Sequence, residues 1–194
     1  MTGRDTAERL ALYLAHLHAV TGEDPIIEEV EPRDPSDGRV LSLGYRDVPG
    51  PGLLTGVTYG LSLSSPGGGV ARRHEMVITL RSRDLSWVSV PARAVAALRG
   101  ISPLDPGRAI GYAQRFVEES AMSSLLLGGP ASNLGLVPFS MVPAELGGKG
   151  EDALDFVGVY PIYSSEREFA KKNGFKAFWE LEWDRFDPLR EPIV

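Results

Sequence analysis

The feature that most constrains the fold is an apolar segment near the end of the sequence, followed directly by a helix start. Residues 155–163 are rich in β-branched and aromatic side chains, which predicts a strand buried on both faces. Ser164 or Ser165 can then cap a helix that ends near Asn173-Gly174, because serine suits a helix start and glycine suits a helix end. The aromatic residues beyond this glycine, Phe175, Phe178, Trp179 and Phe186, predict a second helix docked on the sheet.

The beginning of the chain has a helical pattern. Asp5 and Glu8 are spaced as a capping box, and Thr21-Gly22 supplies a stop. Apolar residues recur between them at intervals of three and four: Ala7, Leu10, Leu14, Leu17 and Val20. We therefore predict a helix from about Thr6 to Val20.

The first half of the chain then reads as strands separated by turns. Residues 40–45, 53–63 and 74–80 have strand character, and turns rich in proline or glycine separate them at 48–52 and 66–69. We expect these strands to form an antiparallel meander. The acidic segment 23–39 reads as a loop with a short extended piece at Ile26-Ile27.

The rest of the pattern is less regular. Pro91 suits the first turn of a helix that runs to Leu98, and short extended pieces are expected at 123–127 and 134–141. Gly147-Gly148-Lys149-Gly150 reads as a solvent loop. Strands outnumber helices, and the helices lie mainly at the two ends. The expected class is α+β, with a mixed, mainly antiparallel sheet flanked by N-terminal and C-terminal helices. We expect residues 1–194 to form one domain, with the N-terminal helix within residues 1–22.

Composition narrows the function classes. The 194 residues carry a net charge of −6 and no cysteine, which excludes thiolate metal sites and thiol nucleophiles and is compatible with a cytoplasmic protein. No signal-peptide pattern occurs in residues 1–8. The acidic balance disfavours nucleic acid and anionic membranes as ligands and suits a basic protein partner.

No catalytic, cofactor or metal motif emerges. His16 and His18 point to different sides of the predicted helix, and His74 has no second ligand nearby, so no metal site is expected. The glycine-rich stretches lack the Lys-Ser/Thr of a phosphate loop, and no Gly-x-Ser-x-Gly elbow occurs. The acidic pairs Glu118-Glu119 and Glu151-Asp152 keep open one alternative, a hydrolase that uses Glu118, Glu119 or Asp152.

The candidate binding residues lie near the C-terminus. They are the acidic residues of a predicted acidic helix: Glu180, Glu182, Asp184 and Asp187. These residues alternate with the large apolar residues Trp179, Leu181, Trp183 and Phe186. Carboxylates combined with aromatic side chains could bind a basic protein. Alternatively, the aromatic side chains anchor the helix to the sheet while the carboxylates face water.

Several blocks, in order, resemble the Suppressor of fused domain family. Residues 58–62 (Thr-Tyr-Gly-Leu-Ser) are similar to an early strand motif, and residues 75–81, where Glu75 precedes an apolar run, are similar to the next strand. Residues 87–99 are similar to the following helix. The terminal block is matched by residues 159–163 with Glu166, Phe169 and Gly174. The resemblance covers roughly residues 40–194 and is loose over 109–150.

This resemblance implies a protein-binding domain without catalytic residues or a cofactor. Stand-alone bacterial members of similar length are associated with toxin loci as immunity proteins. The expected function is therefore stoichiometric binding of a cognate bacterial toxin, with a basic toxin domain as partner. The alternative is a regulatory or scaffold module that binds a peptide by β-strand addition at an exposed sheet edge.

Overall fold

Eight strands and four α-helices form the part of the chain that the computed structural model describes, which is residues 3–63, 73–112, 114–130, 134–137, 139–140 and 153–194. The helices are α1 (Gly3–Thr21), α2 (Val90–Leu98), α3 (Ser164–Asn173) and α4 (Phe175–Trp179). The strands are β1 (Ile26–Val30), β2 (Val40–Arg46), β3 (Leu53–Tyr59), β4 (Arg73–Arg81), β5 (Ala109–Gly111), β6 (Ser124–Gly128), β7 (Phe139–Ser140) and β8 (Ala153–Ile162).

The strands form a single mixed sheet. Seven of them follow the order β1-β2-β3-β4-β8-β6-β5, and β7 pairs with the start of β8 outside this path. The pairing of β4 with β8 is parallel, whereas the other pairings among the described strands are antiparallel. The predicted α+β class, the mainly antiparallel sheet and the meander at residues 40–80 are confirmed.

The helices cover both faces of the sheet. Alternate residues of a strand point to opposite faces, so β8 contributes Val157 and Val159 to one core and Leu154 and Phe156 to another. The first core lies under α2 and the second under α1. Tyr160 continues the α1 side of β8 into a third core beneath α3 and α4. One face therefore carries α2, and the other carries α1 beside α3 and α4.

Glycines allow the segment before α2 to lie directly on the sheet. A side chain on Gly56 would place its Cβ 2.3 Å from the carbonyl oxygen of Val88, and Gly44 meets the side chain of the same valine. Ser42 donates a hydrogen bond of 3.0 Å to the Val88 carbonyl from the same strand as Gly44. Gly56 is therefore a site of close backbone approach, and strand pairing is continuous through it.

Several predicted boundaries were wrong near the start of the chain. The second segment of strand character, 53–63, stops at Tyr59, because Gly60 has a φ of 140° and residues 61–63 form a 3₁₀ turn. The helix α1 begins at Gly3, so Asp5 lies inside it and not at its cap. The extended piece expected at Ile26-Ile27 is the start of a full strand, β1. The turns and loops predicted at 66–69 and 147–150 lie outside the described residues.

The C-terminal block also differs from expectation. The cap of α3 is Tyr163, and the carboxylate of Glu166 accepts a 2.9 Å hydrogen bond from its N–H, while Ser164 and Ser165 form the first turn. The second helix is only the five-residue α4, so Phe186 lies beyond it. The pieces predicted at 123–127 and 134–141 correspond to β6 and β7, and β5 was not predicted.

Candidate functional site

The four predicted binding carboxylates lie on an irregular segment and not on a helix. Since α4 ends at Trp179, residues 180–187, here called the acidic tail, follow it with no helix or strand. Aspartates at two positions of the tail accept hydrogen bonds from backbone N–H groups two residues on, Asp184 from Phe186 at 3.0 Å and Asp187 from Leu189 at 2.8 Å. Such local bonds stabilise turns at the expense of helix, which explains the error.

The carboxylates of the acidic tail have different surroundings. Asp184 forms an ion pair with Arg81, at the end of β4. Glu180 lies 3.6 Å from Lys176, one turn earlier on α4, and is exposed. Glu182 is also exposed and has no hydrogen-bond or ion-pair partner among the described residues. The tail thus uses its aspartates to hold its own conformation and presents its glutamates to solvent.

Aromatic residues at the end of α4 and in the acidic tail anchor the tail to the sheet. The rings of Trp179 and Trp183 lie edge-on to Tyr160 of β8, with centroid distances of 5.0 and 6.3 Å. The guanidinium of Arg185 lies 4.2 Å from the centroid of the Trp179 ring, within the range of a cation–π interaction. The aromatic side chains thus anchor the segment to the sheet while the glutamates face water, which is the second of the two arrangements considered from the sequence.

Glu75 is a carboxylate on the α1 side of the sheet with no exposed surface. One of its oxygens accepts hydrogen bonds from Gly60 N at 2.9 Å and from the backbone and hydroxyl of Ser62 at 3.0 and 2.6 Å. The other accepts from the Thr58 hydroxyl at 2.5 Å and from Leu61 N at 3.3 Å. The strand motif at residues 58–62 therefore folds around this side chain.

Thr58 explains why the motif turns at this point. Its hydroxyl oxygen accepts a 2.9 Å hydrogen bond from Met76 N while it donates to Glu75, so it continues the pairing where β3 leaves β4. From the other side, Arg99 donates a 2.6 Å hydrogen bond to the Gly60 carbonyl. Burial raises the pKa of the Glu75 carboxyl, and the hydrogen bonds from Ser62, Thr58 and Gly60 oppose that increase. Both oxygens of Glu75 and the hydroxyls of Thr58 and Ser62 thus make hydrogen bonds that hold the turn.

A second buried carboxylate, Glu166, joins α3 to the end of the chain. Arg190 binds it through two nitrogens, Nη1 at 2.6 Å from Oε1 and Nη2 at 2.8 Å from Oε2. The N–H groups of Ile193 and Tyr163 add bonds of 3.0 and 2.9 Å. Tyr163 also donates its hydroxyl to the Arg190 carbonyl at 2.5 Å. Glu166 was noticed in the sequence as part of the terminal block, but its burial depends on residues 24 to 27 positions later.

The residues considered for catalysis do not converge. Glu118 and Glu119 are exposed in the connection before β6, and Glu119 accepts only a long bond of 3.4 Å from Ser82. Asp152 lies outside the described residues. His18 contacts Asp24 at 3.1 Å, and the His74 ring lies 2.9 Å from the Leu104 carbonyl. Among the described residues, no group of three histidine or acidic side chains could hold a metal ion.

The clefts on the described surface include the following two. One, of 360 Å³, lies between β5 and the helices α3 and α4, and Arg108 and Lys171 are its charged residues. The other, of 390 Å³, lies between the segment after β1 and the end of α2. Its carboxylate, Asp34, is occupied by a 2.9 Å bond from Ser36 N. Neither lining contains a histidine, and neither brings a free carboxylate next to a nucleophile.

None of the helices in the described part of the chain combines the length and apolar character needed to cross a bilayer.

The fold matches several solved structures. A Suppressor of fused homologue from Neisseria gonorrhoeae has a TM-score of 0.60 and 16% identity, over 93% of this chain and 94% of that one. The crystal structure of the Sufu–Fu complex has a TM-score of 0.57 and 15% identity, over 88% of this chain and 82% of that one. Drosophila Suppressor of Fused has a TM-score of 0.59 and 14% identity over 92% of this chain. The match covers 49% of that longer protein. At these identities the likeness shows the fold.

No curated protein matches the chain. The sequence model of one family does match, over residues 34–191, which confirms the resemblance carried by the motifs around Glu75 and Glu166 and extends it slightly upstream. The chain belongs to the Suppressor of fused protein (SUFU) family.

Proposed function

We propose that this protein acts by binding another protein, and that it neutralises a cognate bacterial toxin by stoichiometric binding in the cytoplasm, without catalysis. The observation that carries this proposal is the state of the two buried carboxylates. Among the described residues, Glu75 and Glu166 are the acidic groups best shielded from water, and their oxygens are all occupied by hydrogen bonds within the fold. What remains for function is the charge and shape of the surface.

The comparisons support protein binding as the general activity. A protein of this fold has been crystallised in the Sufu–Fu complex. The net charge of −6 favours a basic partner, because opposite potentials accelerate association and select partners. A basic toxin domain meets that requirement.

The acidic tail is the proposed contact surface. Glu180 and Glu182 present carboxylates beside the partly buried rings of Trp179 and Trp183, and aromatic residues are enriched at protein interfaces. In this proposal Asp184 and Asp187 shape the surface and its glutamates contact the partner.

Co-purification with the product of the neighbouring gene tests the function. We expect a complex of fixed stoichiometry and protection of cells from that product. Replacing Glu180 and Glu182 by lysine should weaken the complex at low salt, whereas replacing the exposed pair Glu118 and Glu119 by lysine is the matched control and should not. If neither a complex nor protection is observed, the toxin hypothesis is wrong.

The alternative is a regulatory or scaffold module that binds a linear peptide by strand addition. The observation in its favour is that the sheet is open and has edge strands, β1 and β5. A peptide array separates the two functions, because a scaffold module should bind a linear segment as tightly as the whole partner, whereas toxin neutralisation also needs contacts from the folded toxin domain.

A further inference from the structure

The two edges of the sheet differ in length and in what covers them. The edge strand β5 has only three residues, and α3 packs against it with the Arg167 guanidinium over Gly111. The edge strand β1 has five residues, each at least partly exposed. Residues Ile26 and Ile27 are 50% and 52% exposed, although isoleucine is among the residues most often buried. The β1 edge therefore carries two neighbouring exposed apolar side chains within its strand.

The β1 edge offers backbone groups as well as side chains. In the antiparallel pairing of β1 with β2, alternate residues of β1 direct their N–H and C=O groups away from β2. These groups make no backbone hydrogen bond to other elements in the described part of the chain. An extended segment could pair with them, as in strand addition.

The charge of the β1 edge is acidic. Glu29 is neutralised by Arg39, whose Nε and Nη2 donate bonds of 2.9 and 2.8 Å to its carboxylate. Glu28 is exposed and has no hydrogen-bond or ion-pair partner among the described residues. Self-pairing of two antiparallel copies centred on this residue would place two Glu28 carboxylates opposite each other, which is unfavourable. The edge thus disfavours a second copy and favours a cation.

We propose that the β1 edge binds a basic, extended segment of the partner by antiparallel strand addition. This proposal rests on the proposed protein-binding function. Cross-strand pairing fixes the chemistry of that segment. Apolar residues face Ile26, Ile27 and Val30, a lysine or arginine faces Glu28, and a neutral polar residue faces the paired Glu29. In the antiparallel direction the segment reads apolar, polar, basic, apolar, apolar.

A synthetic peptide containing Val-Thr-Lys-Val-Val is the probe, and the complete chain labelled with ¹⁵N is the target. We expect binding that weakens with salt and new hydrogen-exchange protection of the β1 amides. A peptide with proline in place of both the first valine and the threonine should lose binding, since one of two neighbouring residues must donate its N–H to β1 and proline has none to donate. Glu28→Lys should weaken binding of the lysine peptide roughly fivefold to tenfold at low salt.

Charge exchange separates a contact from an indirect effect. A peptide with glutamate in place of the lysine should bind the Glu28→Lys protein better than it binds the wild type. Glu182→Lys on the acidic tail makes the same charge change elsewhere and should leave binding of the lysine peptide unchanged. No binding up to about 1 mM peptide, equal binding of the proline peptide, or the absence of charge exchange would overturn the proposal. A toxin complex that survives Glu28→Lys but not the double tail substitution at Glu180 and Glu182 would overturn it as well, and would leave the proposed function standing.

Discussion

Replacing Glu166 by glutamine should destabilise the fold strongly, because each oxygen of this carboxylate accepts two hydrogen bonds. Oε1 accepts from Arg190 and from Ile193 N, and Oε2 accepts from Arg190 and from Tyr163 N. A glutamine amide must replace one of these oxygens with an NH₂ group. Whichever position the NH₂ takes, it faces two donors, so rotation of the amide cannot relieve the conflict.

The size of the loss follows from burial. The side chains of Glu166 and Arg190 are 0% and 7% exposed. Removing one member of a buried ion pair leaves the other charged and unpaired, which costs about 3–5 kcal/mol. For a chain of this size that corresponds to a fall in Tm of roughly 6–20 °C. Urea unfolding followed by tryptophan fluorescence measures the change, and Trp183 reports on the tail because Arg190 lies 4.8 Å from its ring centroid.

Glu168→Gln is the matched control on the same helix. Glu168 also forms ion pairs, with Arg167 at 2.9 Å and Lys171 at 3.2 Å, but its side chain is 59% exposed. An exposed pair of this kind contributes less than about 1 kcal/mol. If Glu166→Gln and Glu168→Gln lower the free energy of unfolding by the same amount, the reasoning from burial and donor geometry is wrong.

Two further substitutions test the core. Gly56→Ala should destabilise the fold by several kcal/mol or prevent folding, because its Cβ would lie 2.3 Å from the Val88 carbonyl oxygen, whereas Gly50→Ala, where the Cβ meets open space, should cost little in a denaturation assay. Burial raises the pKa of Glu75 above its ordinary 4.5, so the folded chain keeps this proton to higher pH than the unfolded chain does. The contribution of Glu75 to the free energy of unfolding should therefore fall as pH rises from about 4.5 through the folded pKa, and the matching part of the pH slope should be absent in Glu75→Gln.

Each of these two experiments has an outcome that would contradict the reasoning behind it. Equal stability of the two alanine variants would show that the segment before α2 moves away from the sheet at little cost. An unchanged pH slope in Glu75→Gln would show that the hydrogen bonds around this carboxylate balance its burial completely.

The sheet was predictable because its strands carry local signals. The meander is marked by β-branched runs between turns at glycine and proline, and β8 by its continuous apolar content. The acidic tail was not predictable in the same way. Its alternation of large apolar and acidic residues suggested a helix, but the tail conformation depends on distant partners, since Arg81 N donates a 2.7 Å hydrogen bond to the Phe186 carbonyl. Sequence spacing cannot show a contact of this range.

The roles of the two buried carboxylates were hidden for a related reason. Glu75 and Glu166 were visible as members of motifs, but glutamate is normally exposed and nothing local marked them as buried. Their environment comes from the turn at residues 60–62 in one case and from Arg190 in the other. Similarly, the exposure of Ile26 and Ile27 became evident only when β1 was found at the edge of the sheet.

The parallel pairing of β4 with β8 has a consequence for how the chain reaches its native state. Each pairing within β1–β4 joins neighbouring segments, so this half has short loops to close, whereas the β4–β8 seam joins residues such as Val77 and Gly158 across a long intervening segment. Closing a long loop has a higher entropic cost, and contacts distant in sequence slow folding. We expect the β1–β4 half to gain structure first and the pairing of β4 with β8 to set the overall folding rate. A backbone cut between the two halves should leave fragments that reassemble along this seam.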